Sequence, residues 1–115
     1  MNKSALNTLY KIGFYVPESH LEAVKDALFN AGAGRIGNYD RCSWQCLGEG
    51  QFRPLEGSQP AMGKQGTVEH VPEYKVELVC ASENIQAAIA ALRSNHPYEE
   101  PAYDVLKISV NPTGF

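Results

Sequence analysis

The sequence predicts an α+β domain built from two strand–helix–strand units. Three observations support this class: each unit opens with an apolar run of period two, a helical apolar stripe follows each run, and a glycine-rich stretch separates the units. A chain of 115 residues is long enough for one hydrophobic core but not for two. We therefore expect residues 1–115 to form a single domain, with its core in about residues 9–110.

The first unit comprises a strand at residues 9–16 and an amphipathic helix that follows Pro17. Ser19 and Glu22 have the spacing of a capping box, and Gly32 is typical of the end of a helix. The residues predicted to face the core are Tyr10, Ile12, Phe14, Val16, Leu21, Val24, Leu28 and Ala31.

A weaker alternation predicts the second strand at residues 40–47, after which the composition changes. Residues 48–66 contain five glycines and two prolines. That stretch has too many breakers for a helix and is too long for a tight hairpin. We expect it to form a long loop between two paired strands.

The second unit repeats the pattern, with a strand at residues 68–80, a helix capped by Ser82 and a last strand at residues 103–110. The predicted inner faces carry Ile85, Ala88, Ile89 and Leu92 on the helix and Leu106, Ile108 and Val110 on the last strand. A right-handed crossover in each unit gives a four-stranded antiparallel sheet with both helices on one face. This is the ferredoxin-like βαββαβ arrangement, with a long hairpin loop between the second and third strands.

The composition argues against several kinds of partner. A net charge of −3 without any basic run disfavours nucleic acid and anionic membranes. No apolar run approaches the roughly 20 residues of a membrane span, and the first eight residues lack a signal-peptide core. We therefore predict a cytoplasmic protein whose cysteines, Cys42, Cys46 and Cys80, are reduced thiols.

The densest group of reactive side chains lies at residues 96–101, which read HPYEEP and which we call the HPYEEP segment. His96, Glu99 and Glu100 are ligand types suited to a divalent metal ion, the one cofactor that the sequence suggests. A histidine with a carboxylate is also a proton-transfer pair. Alternatively, Pro97 ends the helix, Tyr98 packs and the carboxylates stay in solvent. The sequence leaves structural, ligand-binding and catalytic roles open.

His70 is a further candidate metal ligand, because the third and fourth strands should run parallel and bring it to the same end of the sheet as His96. With the first strand between them, two strand spacings separate these histidines by roughly 10 Å. One ion could then be shared only if the loop folded over or a neighbouring subunit contributed. The alternative is a surface histidine beside Glu69 and Glu73.

The cysteines and the loop are weaker candidates for a metal or ligand site. Cys42 and Cys46 would stand about 13 Å apart on one strand, too far for zinc–thiolate bonds of about 2.3 Å. A copper site across an oligomer stays open. Arg53 and Lys64 could meet an anionic ligand, or the loop could form subunit contacts, but it has no phosphate-loop pattern. No Ser or Cys stands with a histidine and a third orienting group.

Three segments together resemble the inserted domain of the Nif-three-like (Ngg-interacting factor three) proteins, in its free-standing, YqfO-like form. They are residues 36–40 (IGNYD), residues 48–57 (GEGQFRPLEG) and residues 96–104 (HPYEEPAYD), in the family's order. The resemblance covers about residues 9–110. It implies a fold similar to CutA, the divalent-ion tolerance protein, and to PII signalling proteins, which commonly form trimers.

The resemblance also limits the function that we expect of this chain. Full-length members hold a two-metal site in flanking domains, sometimes described as a cyclohydrolase-like hydrolase, and this chain has three histidines and none of those segments. We therefore expect a non-enzymatic, trimeric binding or regulatory protein, in which a trimer would cover the exposed sheet edges. The alternatives are a copper- or zinc-binding ion-tolerance protein and a hydrolase remnant. The sequence names no partner protein.

Overall fold

The structure, a computed structural model, describes residues 8–109. Its elements follow the predicted order strand, helix, strand, strand, helix, strand. The bounds are β1 Thr8–Val16, α1 Glu18–Asn30, β2 Trp44–Phe52, β3 Glu69–Ala81, a 3₁₀ turn Ser82–Asn84, α2 Ile85–Asn95 and β4 Tyr103–Ser109.

The four strands form one antiparallel sheet in the order β2-β3-β1-β4. Both helices pack against the same face of this sheet, where α1 and α2 share one cluster of buried side chains with β1 and β3. The cluster contains Ile12, Phe14, Val16, Leu21, Val24, Leu28, Val76, Leu78, Cys80, Ala88 and Leu92. The predicted ferredoxin-like α+β fold is confirmed. The opposite face, which we call the open face, has no helix over it in the described part of the chain.

The β2–β3 hairpin is longer than the sheet that supports it. β1 pairs with β3 only from Tyr74 to Ala81, whereas β2 pairs with β3 from Glu69 to Glu77. The far end of the hairpin, residues 48–52 paired with residues 69–73, is therefore a two-stranded ribbon that extends beyond β1. This ribbon places the end of β2 beside the turn that leads into β4.

The prediction for the second strand was wrong in its bounds. The strand runs from Trp44 to Phe52, so the stretch from Gly48 to Phe52 is paired with β3 and the connecting loop covers residues 53–68. Glycine lowers strand propensity, but a complete ladder of hydrogen bonds to a long neighbouring strand overrides that local preference.

The predicted inner face of β4 was also wrong. Tyr103 and Val105 pack against the core, opposite Phe14 and Ile12 of β1, whereas Leu106 is 57% exposed. Ile108 shares the open face with Leu106, and Val110 lies outside the described residues. Because side chains alternate along a strand, a shift of one residue exchanges the two faces completely.

Neither predicted side-chain cap forms. Pro17 is the N-cap of α1, and the Ser19 hydroxyl contacts the His20 ring at 2.8 Å instead of a backbone N–H. Ser82 begins the 3₁₀ turn, so that Asn84 becomes the N-cap of α2 without a side-chain hydrogen bond. The predicted end of α1 is confirmed, since the helix stops at Asn30 and Gly32 has a φ of 104°.

The register of β4 gives a paired test of stability. We expect Val105→Ala to lower the free energy of unfolding by about 1 to 2 kcal/mol, because it removes apolar surface packed against the core. Leu106→Ala should change it by less than about 0.5 kcal/mol, because that side chain is exposed. Urea denaturation measures both values. A larger loss for Leu106→Ala than for Val105→Ala would contradict this register.

Candidate functional site

The HPYEEP segment forms the turn between α2 and β4. The helix ends at Asn95 because His96 is extended, with φ −77° and ψ 139°, and because Pro97 follows it. The His96 N–H still donates a hydrogen bond to the carbonyl of Leu92. The segment thus leaves the helix directly and crosses the end of β1.

His96 is a buried anchor, with only 7% of its surface exposed. Its Nε2 lies 2.6 Å from the carbonyl oxygen of Tyr15, and its Nδ1 lies 3.1 Å from the backbone nitrogen of Tyr98. Since a carbonyl only accepts and an N–H only donates, Nε2 carries the proton and Nδ1 accepts from Tyr98. The ring is neutral, and burial lowers the pKa of His96.

Tyr98 packs across the segment. Its ring centroid lies 4.9 Å from that of His96 and 6.3 Å from that of Phe52, at the end of β2. The Tyr98 hydroxyl is buried and makes no hydrogen bond within the described chain. Burial, followed by the nearby Glu73 carboxylate, raises the pKa of Tyr98, so the phenol keeps its proton. A buried hydroxyl without a partner is costly, and it points to a missing polar contact.

A cleft of about 410 Å³ lies between the HPYEEP segment, the end of β2 and the loop that follows β2. Its walls combine aromatic rings, apolar side chains of the loop and several carboxylates. The lining residues with aromatic or charged side chains include Tyr15, Phe52, Arg53, Glu73, Tyr98 and Glu99. A cavity of this size, mostly apolar with a few convergent polar groups, is typical of a small-molecule site.

Glu99 joins the loop to the HPYEEP segment. Its carboxylate accepts a hydrogen bond from the backbone N–H of Gln59, at 3.1 Å. This contact spans 40 positions in the chain and closes one side of the cleft. Glu100 also lines the cleft and is exposed.

Glu73 enters the cleft because β2 has a glycine next to it. A Cβ at Gly50 would lie 1.8 Å from the Glu73 carboxylate oxygen, so the side chain of Glu73 crosses the space that any other residue at position 50 would fill. At Gly48 the nearest atom to such a Cβ is 4.0 Å away. The two glycines of β2 therefore have different roles.

The predicted metal ligands do not come together. His70 lies on the ribbon, paired with Gln51, and its Nδ1 is 3.6 Å from a carboxylate oxygen of Glu49. Both ring nitrogens of His96 are engaged by the backbone. Within residues 8–109, no three His, Cys, Asp or Glu side chains are grouped closely enough to hold an ion. The arrangement does not fit a ready-made metal site, and metal binding stays a prediction.

The cysteines are separate thiols. Cys42 precedes β2, Cys46 is exposed on it, and Cys80 is buried in the core. Burial raises the pKa of the Cys80 thiol, which favours the protonated and less reactive form.

Sequence reasoning found the HPYEEP segment but missed Tyr15, Phe52 and Glu73 as its partners. Tyr15 and Glu73 alternate with core residues on their strands, so their period marks them only as outward-facing. A glycine pair within an otherwise strand-like run, Gly48 and Gly50, was the available signal, because such glycines mark close approach of another group.

The fold is that of a ferredoxin-like α+β domain, and solved CutA and PII structures have a similar fold. A CutA from Xylella fastidiosa matches over 90% of this chain and 86% of its own, with a TM-score of 0.65 and 21% identity. The GlnK–ATP complex of B. subtilis matches over 89% of this chain and 84% of its own, with a TM-score of 0.57 and 11% identity. At such identities these likenesses show the fold alone.

Several sequence relatives share one name. Proteins named "GTP cyclohydrolase 1 type 2 homolog" are 48% identical over 100 residues in Mycobacterium tuberculosis and 42% identical over 104 residues in Bacillus subtilis. A Bacillus cereus protein related to NIF3 has a TM-score of 0.76 and 38% identity, over 89% of this chain and 26% of that one. No family model matches. The chain is homologous to one segment of these longer Nif-three-like proteins.

The extent of the match limits what the relatives imply. The chain aligns over 87% of its own length with the M. tuberculosis protein but spans only 26% of that relative. In the part of the chain that the structure describes, no helix is both long and apolar enough to cross a membrane.

The buried, neutral His96 predicts a pH dependence of stability. Its folded pKa lies below the ordinary value of 6.5, so the unfolded chain binds the proton first. The free energy of unfolding should therefore be greatest above that value and decline as the pH falls from about 7.5 to about 5.5. Histidine ring NMR of the native protein measures the folded-state midpoint directly.

One variant assigns this dependence. His96→Gln should flatten the slope between these pH values, because it removes the buried ring that the unfolded chain protonates first. Denaturation at several pH values gives the slopes. A folded midpoint for His96 at or above 6.5 would contradict the argument.

Proposed function

We propose that this domain is a non-enzymatic binding module that works as a homotrimer and takes a small ligand in the cleft beside the HPYEEP segment. The observation that carries the proposal is the cleft itself, built jointly by the HPYEEP segment and the loop after β2 and tied together by Glu99 and Gln59. Two segments that resemble those of the Nif-three-like family therefore meet at one cavity. A ligand there would bridge them.

The chemistry of the cleft supports binding more than catalysis. Ser58 lines the cleft with a hydroxyl that could serve as a nucleophile. This hydroxyl donates a hydrogen bond to the carbonyl oxygen of Leu55, at 2.6 Å. The His96 ring is held by Tyr15 and cannot act as a free base while that contact lasts. The Ser19–His20 contact lies on the exposed start of α1, with no acid bonded to His20 among the described residues. The relatives named as cyclohydrolase homologs are much longer than this chain, which spans only 26% of the M. tuberculosis protein.

The edge of the sheet supports self-association. β2 is an edge strand whose residues are exposed or half-exposed throughout, and its Trp44 and Leu47 side chains are each 58% exposed. A long edge with large apolar side chains invites pairing with another chain. A closed ring of three copies satisfies every such edge without leading to a fibre.

Light scattering and native mass spectrometry test the assembly. We expect a mass three times the 12.6 kDa of one chain, and we expect Trp44→Glu with Leu47→Glu to reduce it toward that of one chain. Ile36→Glu is the control, because Ile36 is comparably exposed but lies outside β2. A monomer at micromolar concentration would contradict the trimer.

Thermal shift with a panel of metabolites tests the ligand site. A ligand at a hundred times its Kd should stabilise the native domain by about 2.7 kcal/mol. Ala61→Trp, which places an indole in the cleft, should abolish the shift, whereas Ala90→Trp on the exposed face of α2 should preserve it. A compound that stabilises the wild type and Ala61→Trp equally binds elsewhere and would count against the cleft.

The divalent-metal alternative has its own test. If His96, Glu99 or Glu100 binds an ion, alone or together with His70 of a second copy, excess copper, zinc or manganese should raise the melting temperature. No shift with any of the three would remove this alternative. A cytoplasmic location stays a prediction of the sequence.

A further inference from the structure

We infer that the cleft selects an organic cation, an ammonium or guanidinium group carried on an aromatic or apolar body. The inference rests on the proposed function, because it names the ligand class of the same cleft. Its basis is a combination of a carboxylate without a basic partner, three aromatic rings and a hydroxyl without a hydrogen bond.

The charges on the cleft walls are unbalanced. Three carboxylates line it, those of Glu73, Glu99 and Glu100, against the single guanidinium of Arg53. Glu99 is already engaged by the backbone of Gln59. An anionic ligand would meet net repulsion here, whereas a cation would be attracted from solution.

Glu73 is the group that a cation would meet. Its side chain is half-buried, and within residues 8–109 it takes part in no ion pair. A partly buried carboxylate without a counter-charge is unfavourable, and a ligand cation relieves that cost. Because Gly50 has no side chain, the Glu73 carboxylate has room at this position.

The aromatic rings suit the same charge. Tyr15, Phe52 and Tyr98 all line the cleft, and the rings of Phe52 and Tyr98 stand 6.3 Å apart with their planes at 46°. Aromatic faces carry negative electrostatic potential and attract ammonium and guanidinium groups. Pro54, Leu55 and Met62 provide apolar surface for the rest of the ligand.

The Tyr98 hydroxyl completes the recognition. It is buried and has no hydrogen-bond partner within residues 8–109, so it can accept an N–H from the ligand. A ligand that has only an alkyl chain, without an N–H donor, would leave this hydroxyl without a hydrogen bond. The cleft should therefore prefer protonated amines and guanidines over neutral analogues of the same shape.

Three probes with one ring and different charges test the selection. Tyramine is a cation, 4-hydroxyphenylethanol is neutral and 4-hydroxyphenylacetate is an anion. In calorimetric titrations of the full chain at neutral pH, we expect tyramine to bind at least about tenfold more tightly than either analogue, with an affinity that declines as salt is added. Equal binding of all three, preference for the anion, or no binding of tyramine at millimolar concentration would overturn the inference.

Two glycine variants identify the carboxylate responsible. Gly50→Ala displaces the Glu73 side chain without removing its charge, and Gly48→Ala adds the same methyl group on the same strand with 4.0 Å of clearance. Both glycines have ordinary negative φ, so both variants should fold. We expect Gly50→Ala and Glu73→Gln to weaken tyramine binding at least about fivefold and Gly48→Ala to leave it unchanged. Unchanged binding in Glu73→Gln would overturn the role of Glu73.

The outcome separates this inference from the proposed function. An anionic or neutral compound whose binding is blocked by Ala61→Trp would keep the cleft as a ligand site and overturn its cation selectivity. Tyramine binding that survives Ala61→Trp would place the cation outside the cleft and overturn this inference, while the thermal-shift panel would still decide whether the cleft binds another ligand.

Discussion

The hydrogen bond between the His96 ring and the Tyr15 carbonyl joins the end of β1 to the turn after α2. It is buried, short and made by a neutral ring whose other nitrogen holds the backbone of Tyr98. Through it, the position of Tyr98 and of the two glutamates that follow is fixed relative to the sheet. The cleft depends on that position, because the ring of Tyr98 is one of its walls and the Glu99 carboxylate holds the loop opposite.

The sequence predicted most of the fold, because alternating and helical apolar patterns are strong in β1, α1, β3 and α2. The prediction failed where apolar residues lay on both faces of a strand or where no apolar pattern was present. β4 has apolar residues on both faces, so the choice between Val105 and Leu106 depended on pairing with β1. β2 is exposed throughout, so no burial pattern existed to mark its end, and its glycines concealed a paired strand. Such long-range pairing is not encoded locally.

The candidate site was also predicted only in part, because the contacts that complete it join segments far apart in the sequence. A local cluster such as HPYEEP can be seen along the chain, and it indeed lies at the cleft. The structure adds that both ring nitrogens of His96 contact the backbone, whereas metal binding stays a prediction. Glu73 and Phe52 come from a different hairpin, and only the three-dimensional arrangement brings them to Tyr98. The match to about a quarter of the longer Nif-three-like proteins shows homology to one segment of them but assigns no role to these side chains.

The ribbon formed by the far ends of β2 and β3 has one further consequence. It carries Phe52 and Glu73 of the cleft on the same hairpin that exposes Trp44 and Leu47 at the edge. An occupant of the cleft and a neighbour along the edge would therefore act on one element. By thermodynamic reciprocity, any effect of the first on the affinity for the second must be returned in equal measure. The ribbon is therefore the element through which occupancy of the cleft and contact along the edge would influence each other, if both occur.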